Sequence, residues 1–146
     1  MNLATVPSYS IKPMSDEAIS KAKQLEAQML KMPQVNIQTT HTLHGGMYAR
    51  TVKIPAGVLV SGAMIRVKTM MIVDGHIHLF VGDKTIKLKG HHVIPASENR
   101  KQAALAIKDS YVTMIFSTQA STVEEAEAEF TDEHEMLMTN KTRKIK

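Results

Sequence analysis

Gly45-Gly46-Met47-Tyr48-Ala49-Arg50-Thr51-Val52-Lys53-Ile54-Pro55-Ala56-Gly57-Val58-Leu59-Val60-Ser61-Gly62 is the stretch on which the fold turns. Val52 and Ile54 alternate with Thr51 and Lys53, the period of two that a half-buried strand shows, and glycine and proline punctuate the run. The same signs recur downstream. Ile77 and Leu79 alternate with His76 and His78, Thr85-Ile86-Lys87-Leu88 continues the pattern, and Val81-Gly82-Asp83-Lys84 fits a tight turn between the two. Tyr111 to Ser117 is rich in β-branched and aromatic residues. Roughly seven or eight short runs, with turn signals about every ten residues, match the spacing of a sandwich or jelly roll.

Helical signals flank this β region. Ser15-Asp16-Glu17 supplies an N-cap with two acids in the first turn, and Ile19, Ala22, Leu25, Met29 and Met32 follow at helical spacing until Pro33. That predicts an amphipathic helix over 15–32, packed on its own domain or reaching a second chain. At the other end Ser121-Thr122-Val123-Glu124 reads as a capping box opening a helix from about Thr122 to Phe130. Residues 1–14, with Pro7 and Pro13, read as an extended arm, and 131–146 as a C-terminal extension with a basic tail. Thr39-Thr40-His41-Thr42-Leu43-His44 reads as linker. The expected organisation is one domain over 15–130.

The bulk numbers narrow the class. A chain of 146 residues can bury one sizeable core. Without cysteine there is no disulfide, thiolate nucleophile or cysteine-held zinc. No run approaches the roughly 18–20 apolar residues of a membrane span, and the start of the chain lacks a basic-then-apolar leader, so an intracellular protein is expected. The net charge of +4 is uneven: acids concentrate in 124–135, and Lys141, Arg143, Lys144 and Lys146 crowd the end. Three Tyr, three Phe and no Trp leave few stacking platforms, which argues against a nucleic-acid partner.

Gly46-Met47-Tyr48-Ala49-Arg50, Ile54-Pro55-Ala56-Gly57 through Gly62, an Asp74-Gly75 turn, Pro95 to Arg100 and Asp109-Ser110 occur in that order. With them the chain resembles the small single-domain cupins, and especially a cupin-like group common in bacteriophage and prophage genomes. The resemblance implies a mainly β, cupin-like jelly roll (double-stranded β-helix) with an N-terminal and a C-terminal α-helix. It also implies where a metal would sit, held by an HxH pair, a carboxylate and a later histidine. Aligned on Gly57 and Gly62, the family's histidines fall at Ile65 and near Thr69, and Glu98 to Ala106 holds no histidine. Ile cannot donate to a divalent ion, and Thr is a poor single donor. The expectation is a scaffold that has lost its metal ligands and uses no cofactor.

Other chemistry is sparse. His76 and His78 share one face of a strand and form the weak alternative metal site, but they turn outward if Ile77, Leu79 and Val81 point inward. His91 and His92 point apart, and His41 and His44 read as loop residues. Ser61, Ser97 and Ser110 lie in no nucleophile elbow, and Gly45-Gly46 reads as a turn rather than a phosphate cradle, so no catalytic residue is assigned. Tyr48, Arg50, Arg66 and Arg100 form the candidate ligand-binding set, with Arg66 able to meet a carboxylate or phosphate if it enters the barrel. Its ordinary alternative is solvent exposure or a salt bridge to Glu98 or Asp109. Met64, Ile65, Met70 and Met71 are expected inside.

The resulting expectation is a non-catalytic, metal-free phage structural or interaction protein, such as a head or tail component of the virion. It would be a homo-oligomer working with other phage structural proteins, in the host cytoplasm during assembly, with no membrane partner. The alternative is a cupin-type enzyme or a binder of a sugar or carboxylate in the barrel. A third reading is an accessory protein that binds a host factor.

Overall fold

The computed structural model describes residues 9–133. Helix α1 (Asp16–Met29) is capped by Ser15, whose Oγ accepts the Ala18 N–H at 3.1 Å. Seven strands follow: β1 (Gln38–His44), β2 (Met47–Ile54), β3 (Leu59–Ser61), β4 (Thr69–Val81), β5 (Lys84–Ala96), β6 (Ala103–Ala106) and β7 (Ser110–Ser117). Helix α2 (Val123–Phe130) closes the described chain. All strand pairings are antiparallel, in the order β1-β2-β7-β4-β6-β3, with β5 along the other edge of β4. The sheet curls on itself into a cupin-like jelly roll.

Curling requires β4 to change partner halfway. Met70 to Asp74 pair with β7, and Ile77 to Phe80 pair with β6. Between them Gly75 adopts φ +143°, and a Cβ there would lie 2.3 Å from Ser110 Oγ and 2.8 Å from Ser110 Cα. Ser110 fills that space and accepts the His76 N–H at 3.0 Å. Asp74-Gly75 is therefore a bend inside a continuous strand, not the turn the dipeptide suggested. The expected turn at Gly82-Asp83 does join β4 to β5, and Gly45-Gly46 joins β1 to β2.

The core follows the alternation. Met71, Val73, Ile77 and Leu79 of β4 and Leu88 and Ile94 of β5 are buried in one cluster. Truncating any of the Met, Ile or Leu side chains among these to alanine costs about 2–5 kcal/mol in such settings. A second cluster, Tyr48, Ile65, Phe116, Ala126 and Phe130, lies under α2. Met70 departs from expectation: it sits on the outer face, because the same alternation that buries Met71 turns its neighbour outward.

Three segments differ from the sequence reading. The presumed linker 39–44 is strand β1, whose inward positions Thr39, His41 and Leu43 alternate with exposed neighbours. The described part of the N-terminal arm is tied down: Ile11 is buried, donates to Pro95 O at 3.0 Å and accepts from the Ser97 N–H at 2.8 Å. The α2 cap is Thr122, not Ser121. Thr122 Oγ1 accepts the Glu125 N–H at 3.2 Å, and Glu125 reaches back to the Ser121 N–H at 3.0 Å, a box shifted by one residue. Helix α1 ends at Met29 rather than 32. Residues 1–8 and the basic tail lie outside the described residues.

Candidate functional site

Inward-facing side chains of β1, β2, β4 and β7 leave a cavity of about 240 Å³ at one end of the barrel, with Phe130 of α2 across it. Val52, Ile65, Met71 and Met114 give it apolar walls, and Arg50, Arg100 and Gln102 are the long polar side chains that converge there. Two members of the expected quartet thus meet. Tyr48 stands behind the cavity and is fully buried, its hydroxyl 2.7 Å from His41 Nδ1 and its ring packed against Phe116 and Phe130. Burial pushes its phenol above the ordinary value despite the opposing pull of Arg50, so it stays a neutral phenol. Arg66 lies elsewhere. Half exposed, it pairs with Asp132 at 2.5 Å instead of Glu98 or Asp109, because Ile65 takes the inward position and strand-like alternation sends the next residue out.

The two cavity arginines differ in their partners. Arg50 Nη1 meets the buried Glu127 Oε2 at 2.8 Å and its Cζ lies 5.9 Å from the Phe130 ring centroid, so α2 neutralises it. Arg100 is 1% exposed and makes no ion pair among the described residues. Its Nη2 donates to Thr69 Oγ1 at 2.7 Å, its Nη1 donates to Ser97 O, and its Nε has no partner among the described residues. Burial lowers its pKa to about 10, which still leaves it cationic at neutral pH. Gln102 Oε1 is likewise buried without a partner. Sequence reasoning passed over Gln102 because an amide carries no charge, although two-residue spacing from Arg100 on extended chain was the available signal.

The positions at which the family carries histidines are now placed. Ile65 lines the cavity, and Thr69 holds Arg100. Two guanidiniums, thioethers and aliphatic carbons repel or ignore a divalent cation, so the lining does not fit a metal. Among the described residues no group of three His, Asp or Glu side chains gathers in ligating geometry. His76 and His78 face outward, with rings 5.9 Å apart, opposite Lys89 and Lys87 rather than a carboxylate. His41 lies on β1 rather than in a loop, and His92 Nε2 lies 2.9 Å from Lys89 O. Ser61 Oγ donates to Glu26 at 3.1 Å, and Ser110 bonds backbone atoms, so both hydroxyls serve the fold.

Comparison with known proteins bears on this architecture. No family model and no curated protein matches the chain. Among solved structures it is similar to salicylate 1,2-dioxygenase from Pseudoaminobacter salicylatoxidans at 14% identity and a TM-score of 0.50, over 79% of this chain and 33% of that one. KdgF from a Halomonas species gives 21% identity and a TM-score of 0.49, over 61% and 86% of the two chains. A cupin superfamily protein from Desulfitobacterium hafniense gives 12% identity and a TM-score of 0.48, over 64% and 87%. At such identities similarity bears on the fold alone. The chain is a mainly β, cupin-like jelly roll with two helices, whose barrel cavity holds arginines and an amide.

Proposed function

We propose that this protein is a metal-free, non-catalytic binder of a small organic acid, held in the barrel cavity between Arg100 and Gln102. The observation that carries the reading is Arg100: a buried cation that, among the described residues, only neutral oxygens face. Burying an unpaired charge costs several kcal/mol, and an incoming carboxylate would offset that cost. The free Nε–H would donate to it directly, in the fork geometry that guanidinium offers carboxylates. Gln102 Oε1 adds an acceptor for a hydroxyl on the same ligand. A cavity of about 240 Å³ is smaller than the roughly 300–1,000 Å³ used for drug-sized molecules, which favours a small hydroxy acid. A thermal-shift screen of small monocarboxylic and hydroxy acids tests this. At least one acid should raise the melting temperature of the wild-type protein and leave Arg100→Met unmoved; equal shifts in both proteins would contradict the reading.

The second reading, a part of a phage particle, draws on a different region. Leu30, Met32, Val35 and Leu59 expose apolar surface around a groove between the end of α1 and β3. Such patches often mark contacts with other proteins. The phage attribution itself rests on the sequence resemblance. Mass spectrometry of purified particles from a producing host tests it: the chain at stoichiometric abundance supports a virion component, and its absence from particles but presence in the lysate opposes one.

A further inference from the structure

Five strands lie side by side at the level where β4 pairs with β7, in the order β1-β2-β7-β4-β5, with β7 in the middle. Their outward side chains form rows that the register fixes. One row reads Thr42, Ala49, Ile115, Met70, Pro95, and the next reads Thr40, Thr51, Thr113, Ile72, Val93. Neither row contains a charge. Met70 and Val93 are 46% and 51% exposed, an apolar surface that no helix covers among the described residues. The third row reads Gln38, Lys53, Tyr111, Asp74, His91, and here charge appears on both sides of the middle strand.

We infer that this face is where a second copy of the chain docks, about a two-fold axis running along β7 between the two stacked sheets. Such an axis keeps each row opposite itself and exchanges β2 with β4. Lys53 then faces Asp74 of the second copy, and Asp74 faces its Lys53, so one pairing of opposite charges is made twice. The same exchange sets small Ala49 against long Met70, while Tyr111, Thr113 and Ile115 meet their own counterparts on the axis. An isologous interface needs this kind of self-complementarity, and face-to-face sheets pack about 10 Å apart, within reach of these side chains. Lys53 is already turned toward the row's centre, its ammonium 5.9 Å from the Tyr111 ring centroid.

Light scattering behind a sizing column, at tens of micromolar and low salt, reads the outcome. The wild-type protein should have the mass of a dimer. Thr113→Arg sets two guanidiniums against each other on the axis and should yield a folded monomer; if that variant fails to fold, Val93→Asp on the exposed flank serves instead. Lys53→Glu or Asp74→Lys alone should weaken association about tenfold or more, and the double variant Lys53→Glu/Asp74→Lys should regain the dimer. A monomeric wild-type protein, a dimer indifferent to both face substitutions, or a charge swap that restores nothing would overturn the inference.

Discussion

Arg100 and Lys101 are consecutive, both cationic and both buried, yet they look into different surroundings. Lys101 Nζ meets Glu133 Oε1 at 2.7 Å, Glu26 Oε2 at 3.0 Å and Gly62 O at 3.0 Å, so it joins α1, the end of β3 and the chain beyond α2. Arg100 faces the cavity with Thr69 and Ser97 and meets no carboxylate among the described residues. A buried cation with two carboxylates and a carbonyl is a structural tie. One whose charge nothing nearby neutralises, beside a cavity, has the features of a binding group.

The widest separation between the two should come from truncating each. Lys101→Ala removes the centre of the tie and leaves Glu26 and Glu133 facing each other, which should cost about 3 kcal/mol by denaturant titration. A loss under about 1 kcal/mol would break the contrast. The next effect concerns Glu133. Desolvation alone would raise its pKa, but the hydrogen bonds from Lys101 and the Met64 N–H, with the charges of Lys101 and Lys23, outweigh it and hold the carboxyl below the ordinary value of 4.5. A depressed acid contributes stability above its unfolded pKa and loses it as pH falls through the folded one. Melting temperature should therefore drop below about pH 4.5 more steeply in the wild-type protein than in Glu133→Gln, which at neutral pH should itself cost about 1–2 kcal/mol. Parallel pH profiles would show that Glu133 does not hold the tie. The smallest effect belongs to Arg100→Met without ligand: relief of the buried charge is offset by loss of the hydrogen bonds to Thr69 and Ser97 and of the packing of the longer side chain, so stability should change by less than about 1 kcal/mol. A loss near that of Lys101→Ala would make Arg100 a structural residue too.

The same neighbours show how far the sequence could be read. Strand β4 announced itself because aliphatic and polar residues alternate, β7 because β-branched and aromatic residues gather in it, and Gly82-Asp83 because the hairpin needs a positive φ there. Strand β1 was hidden, since its inward positions include Thr39 and His41, which carry no hydrophobic period. Asp74-Gly75 has turn chemistry, but its glycine serves the close approach of Ser110 instead. In the site, Arg50 and Arg100 were identifiable as cations next to predicted strands. The role of Lys101 was not, because Glu26 and Glu133 lie 75 and 32 positions from it and only the folded chain brings them together. Arg66 was left open between the barrel and the surface, because the inward phase of a short irregular segment cannot be set from a single apolar residue; the structure gives it the exposed, ion-paired alternative with Asp132 as partner.

The most direct measurement of the Arg100 assignment is the arginine side-chain Nε–H spectrum of isotope-labelled protein, titrated with the acid that raises the melting temperature. The account predicts that the Arg100 resonance, identified by its loss in Arg100→Met, shifts and saturates with the acid while that of exposed Arg66 stays in place. A saturating acid that leaves the Arg100 resonance unmoved would contradict it.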